Sequence, residues 1–101
     1  MTRRRSYRVA GRLTPAGNRG LRARAVCLGR GEQMDWHSTG EREELLLGVA
    51  GRVRVELQGS RRIRRMTLTA GQSVFLPRGT KHRVVNAFAR AGSYVYVTGP
   101  C

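Results

Sequence analysis

From Gly71 to Asn86 the chain runs GQSVFLPRGTKHRVVN. Val74-Phe75-Leu76 is a short apolar run, halted by Pro77-Arg78-Gly79-Thr80. Pro77 fixes φ and Gly79 tolerates a positive one, so these four residues make a tight turn. Beyond it, His82, Val84 and Asn86 are spaced two apart and share one face of a strand, while Arg83 points the other way. The stretch reads as strand, turn, strand, with an imidazole placed at the start of the second strand.

The same period continues outward. Arg52-Val53-Arg54-Val55-Glu56-Leu57 alternates cleanly, with Val53, Val55 and Leu57 on one face and Arg52, Arg54 and Glu56 on the other. Gln58-Gly59-Ser60 turns the chain. Ile63, Met66 and Leu68 follow in an Arg-rich strand whose alternation slips at Arg64-Arg65, as a bulge would cause. Leu45 to Val49, Leu21 to Leu28 and Ser93 to Thr98 read as further strands, with Gly29-Arg30-Gly31 and Gly51 as breaks. No segment carries the i, i+3, i+4, i+7 spacing of an amphipathic helix. Turn signals every 8 to 12 residues or so mark an all-β sandwich or small barrel. Closing the sheet on itself removes exposed edges. Residues 1-20 form an irregular basic lead-in or edge strand, and residues 21-101 form a single barrel domain.

The chain has 101 residues and a mass of 11.3 kDa, enough for one hydrophobic core. No apolar run reaches the roughly 18 to 20 residues of a membrane helix, so the expectation is a soluble protein without a membrane partner. The formal charge is +14, and only Lys81 among the 20 basic residues is not Arg. A GC-rich coding bias produces such a ratio; attraction to phosphates or nucleic acid is the functional alternative. Arg3, Arg4 and Arg5 form either a phosphate-touching arm or a frayed terminus. Five of the six acids, Glu32, Asp35, Glu41, Glu43 and Glu44, fall within thirteen positions. That anionic segment is the natural place to seek a cation site. Cys27 and Cys101 build neither a zinc knot nor a disulfide framework. No apolar segment follows the basic start, so no secretory signal is read and a cytoplasmic location is expected.

The spacing Gly71, Pro77, Gly79, His82, Asn86 resembles the second motif of the cupin superfamily at all five of its fixed positions. Upstream, Gly31, His37, Thr39, Glu44 and Gly51 resemble the first motif, with Thr39 where that motif has its second histidine. The resemblance implies a cupin-type β-barrel, or jelly roll, in which His37, Glu44 and His82 converge on a divalent transition metal, Fe, Mn, Ni or Zn. It also implies a homodimer. Two His and one carboxylate with open positions suit non-haem Fe(II) and accept the other ions. Both histidines of the chain occupy motif positions, whereas a structural histidine could fall anywhere. His37 and Thr39 are expected to project together, although a neutral hydroxyl is a poor metal donor. A one-residue slip would exchange Glu44 for Glu43. Asp35 reads as a loop acid or a substitute ligand.

The other candidates divide between core and surface. Trp36 walls the pocket or covers the rim. Tyr94 and Tyr96 share a face as surface or dimer residues, Phe75 and Met66 belong to the core, and Cys27 is a small buried hydrophobe or points towards the metal. Asn86 is a structural hydrogen-bonder. Three functions are compatible with this: a metal-dependent oxygenase or isomerase acting on a small polar molecule, a non-catalytic barrel that binds or senses a small ligand, and a basic nucleic-acid-associated barrel. The third lacks the interleaved aromatics used by single-strand readers.

Overall fold

Short alternating runs separated by glycine-bearing turns form nine strands in the computed structural model, which describes residues 4–100 and contains no helix among them. They are β1 Gly11–Arg12, β2 Arg22–Leu28, β3 Gln33–Ser38, β4 Arg42–Ala50, β5 Arg52–Gln58, β6 Ile63–Thr69, β7 Ser73–Leu76, β8 Lys81–Val85 and β9 Gly92–Pro100. Two antiparallel sheets result, in the orders β1-β2-β9-β4-β7 and β3-β8-β5-β6. The architecture is the expected all-β jelly roll. Arg3 and Cys101 lie outside the described residues; Arg4 and Arg5 are exposed.

The core lies between the inner faces of the sheets. Val26, Leu28, Leu46, Leu76 and Tyr94 come from the first sheet, and Val53, Val55, Leu68 and Val84 from the second. Gly51 carries the chain from one sheet to the other at φ +62°, where a Cβ would lie 2.4 Å from the Ala91 carbonyl oxygen. That backbone conformation and that contact both call for glycine.

Several side chains differ from expectation. Phe75 is 56% exposed rather than core, because β7 is an edge strand whose inward positions are Val74 and Leu76. Tyr94 is buried rather than superficial, opposite Val26 on β2, and Tyr96 packs partly against the core. Cys27 faces out and is exposed, since Val26 and Leu28 take the inward positions of β2. No bulge occurs at Arg64-Arg65: β5 and β6 pair without a break from Arg52↔Thr69 to Gln58↔Ile63. The register instead shifts between Met34 and His37 and between Gly48 and Ala50.

Glu56 does point to the outer face with Arg54, yet it is fully buried. Its cross-strand neighbours are Arg65 on β6 and Arg83 on β8. Arg83 Nε donates to one carboxylate oxygen at 2.6 Å and Arg65 Nε to the other at 3.1 Å, with Arg54 Nε 2.9 Å from the latter. Burial alone would raise the Glu56 pKa. The Arg83 hydrogen bond and charge, helped by Arg54 and Arg65, outweigh it and hold the carboxyl below its usual range. Arg83 also stacks on Trp36 at 4.8 Å, and Arg52 on Phe88 at 4.2 Å.

Candidate metal centre

Two turns meet at one end of the barrel. Gly79 adopts φ +74° and donates its N–H to the Gly40 carbonyl at 2.9 Å. Thr39 lies just past β3, and its hydroxyl donates to the Pro77 carbonyl and accepts the Thr80 N–H, both at 3.0 Å. Its own N–H donates to the Thr80 carbonyl at 3.1 Å. Thr39 therefore clasps the turn that delivers His82, instead of projecting beside His37 as a donor. At the other end of β8, Asn86 is buried; its amide donates to the Leu28 and Arg90 carbonyls at 2.8 Å and accepts from the Phe88 N–H at 2.9 Å. This is the structural role expected of it.

The clasp brings together side chains from both sheets. His37 on β3 is paired across the ladder with His82 on β8, and their rings lie 4.2 Å apart between centroids. Glu44 reaches them from β4. One donor atom from each of His37, Glu44 and His82 lies within 4.8 Å of the others, and Glu44 and His82 are buried. His82 Nε2 is 3.2 Å from Glu44 Oε2 but makes no well-formed hydrogen bond.

Both imidazoles are held in the same way. His82 Nδ1 lies 3.0 Å from the Thr80 carbonyl, and His37 Nδ1 lies 2.7 Å from the Asp35 carbonyl. A carbonyl only accepts, so each Nδ1 must carry the proton. In the neutral rings this leaves both Nε2 lone pairs available, the tautomer that a metal-bound histidine needs. Burial opposes charging His82; the Glu44 carboxylate and the Thr80 carbonyl favour it, and the net effect raises its pKa. The buried, weakly satisfied Nε2 beside a carboxylate is the kind of donor set that a divalent cation completes.

Residues 25–98 match the family profile described as the cupin domain. The chain belongs to the cupin family. No curated protein matches this cupin. Among solved structures it is similar to a cupin 2 conserved barrel domain protein from Salinispora arenicola, at 24% identity and TM-score 0.75 over 91% of this chain and 75% of that one. A double-stranded β-helix protein from Klebsiella pneumoniae superposes with TM-score 0.80 at 14% identity, covering 99% and 91% of the two chains. Recombinant oxalate oxidase in complex with glycolate is similar at 20% identity and TM-score 0.73, over 80% of this cupin and 42% of the oxidase chain. At these identities the likeness is one of fold.

The remaining candidates stand apart from the three donors. Glu43 is exposed on the opposite face of β4 from Glu44. The Asp35 carboxylate accepts from the Trp36 N–H at 2.8 Å and the Gln33 amide at 3.2 Å. Trp36 carries Arg83 on its ring, away from the three donors. Tyr94 was not anticipated in the interior; burial, then the negative charge of Glu44, pushes its phenol pKa up, so it stays protonated. Three arginines, Arg22, Arg24 and Arg42, also neighbour this end of the barrel. They belong to the inward face of the first sheet, where Arg22 and Arg24 continue the line of Val26 and Leu28, and Arg42 continues that of Glu44 and Leu46. The alternation of β2 held the signal, since its inward apolar pair gives way to arginine.

Proposed function

We propose that this cupin holds one divalent transition metal, Fe, Mn, Ni or Zn, on His37, Glu44 and His82, and uses it on a small polar molecule as a mononuclear oxygenase or isomerase. The observation that carries the reading is the pair of imidazoles, each with Nδ1 tied to a backbone carbonyl two residues earlier and its ring beside Glu44. A bound divalent transition metal would supply Lewis acidity, or oxygen activation if it is redox-active. The chain supplies the rest. His37 and His82 offer their Nε2 atoms, Glu44 offers a carboxylate in a buried setting, and Thr39 fixes the turn that aims His82. Tyr94 is buried and stays neutral within reach of the Glu44 charge.

A non-catalytic ligand-binding barrel is the second reading, favoured by one observation. Among the described residues, the only buried carboxylate besides Glu44 is Glu56, which is tied to Arg54, Arg65 and Arg83 on the outer face of the other sheet, so no additional imidazole or free carboxylate stands beside the three donors as a general base. Elemental analysis of protein purified without chelator tests the metal reading. About one transition metal per chain is expected, lost in His82→Ala and reduced more by Glu44→Gln than by Glu43→Gln. Metal-free wild type would overturn it. Turnover by the loaded protein would then exclude the non-catalytic alternative.

A further inference from the structure

Residues 12–19 of the lead-in wall one side of an open cleft of about 670 Å³, within the range of small-molecule sites. Arg12, Arg19, Arg22, Arg24 and Arg42 line it, with Tyr96 and Thr98 at its floor. No carboxylate among the described residues pairs with any of these five guanidinium groups. Arg42 is a positioning residue. Its guanidinium donates to Thr98 Oγ1 at 2.9 Å, to the Thr98 carbonyl at 3.0 Å and to the Gly20 carbonyl, which pins the lead-in over β9. Arg12, Arg22 and Arg24 have no such bonds within the described residues. Five arginines without a carboxylate partner in one concavity make a positive recess that attracts anions.

The cleft is continuous in register with the candidate metal centre. Arg22, Thr98 and Glu44 are opposed across β2, β9 and β4, and Arg24, Tyr96 and Leu46 form the next row. Arg22 is therefore two strand spacings from Glu44, about 10 Å along the sheet. Asn18 is also on the wall, its side-chain oxygen buried without a partner. We propose that the cleft binds a small multivalent oxyanion, carboxylate or phosphate, whose charged end rests on Arg22 and Arg24 and whose other end extends towards Glu44 and the histidines.

This names a substrate class for the proposed centre, and its second half rests on that reading; the arginine site stands without it. A nucleic acid is the less fitting polyanion. The cleft is concave and walled by the lead-in, while Arg54, Arg65 and Arg83 on the outer face of the other sheet are tied to Glu56. The test uses full-length protein stripped of metal on a chelating resin. Pyrophosphate and citrate are titrated by calorimetry at constant ionic strength, and their relative affinity separates a phosphate from a carboxylate ligand. Saturable binding is expected, weakened about tenfold or more by Arg24→Gln and by Arg22→Gln and unchanged by Arg61→Gln, with all three variants melting like wild type. No binding of either probe, or equal losses in all three variants, would overturn the proposal. So would tighter binding of a DNA duplex that is lost with Arg61→Gln alone. Because the titration is run without metal, anion binding in a protein that takes up no ion would remove the centre and leave the cleft. Metal uptake with no anion binding would do the reverse.

Discussion

Replacing Glu56 with Gln isolates the one acid buried among the arginines. Removing one partner of a buried ion pair costs about 3–5 kcal/mol when the other charge is left stranded. Here the side chains of Arg54 and Arg65 are 35% and 55% exposed and can return to water, whereas that of Arg83 is 26% exposed and bonded at 2.6 Å. Gln keeps the shape and one acceptor, so the loss should be smaller, about 2 kcal/mol. In a domain of this size that lowers Tm by about 10 °C. Thermal unfolding followed by circular dichroism at pH 7 measures it, with Glu43→Gln as an exposed control expected to match wild type. The pH dependence adds a sign. The folded-state pKa of Glu56 lies below its unfolded value, so its stabilisation is complete above about pH 4.5 and is lost as pH falls towards the folded value. The gap between wild type and Glu56→Gln should therefore narrow in acid. Equal Tm values at pH 7, or a gap that widens in acid, would refute this account of the outer sheet.

Thr39→Val removes the hydroxyl that bridges Pro77 and Thr80; we expect about 1–2 kcal/mol less stability by urea unfolding and metal affinity roughly tenfold weaker, because the turn aiming His82 is loosened. Gly51→Ala puts a Cβ against the Ala91 carbonyl oxygen at a positive φ and should cost about 2 kcal/mol or more in the same assay. His82 gains affinity for a proton on folding, so in metal-free protein its contribution is present below pH 6.5 and fades as pH rises through the folded value. The Tm of the metal-free protein should fall from pH 6 to pH 8, and His82→Gln should flatten that slope.

Much of the interior was legible because the chemistry sits on period-two strands bounded by turns. The spacing from Gly71 to Asn86 sets His82 on the inward face, and the motif spacing to Gly51 favours Glu44 over Glu43, which are buried and exposed respectively. What escaped depended on pairing. Whether Tyr94 faced the core could not be read from its own strand; it follows from lying opposite Val26 on β2. Phe75 carries strong apolar character, yet an edge position leaves it outside. Glu56 has the alternation of a solvent-facing residue, and only the lateral neighbours Arg65 and Arg83, distant in sequence, bury it. The arginines of β2 carry no core signal of their own; the register with β9 and β4 places them on the line that leads to Glu44.

The chain has only His37 and His82, so a nitrogen-15 correlation spectrum of the imidazoles at pH 8 reports the central claim without ambiguity. Both rings should be protonated on Nδ1 in metal-free protein, and one equivalent of Zn²⁺ should shift both Nε2 signals together. Nε2 resonances that stay put on adding zinc, or rings protonated on Nε2 instead, would contradict it.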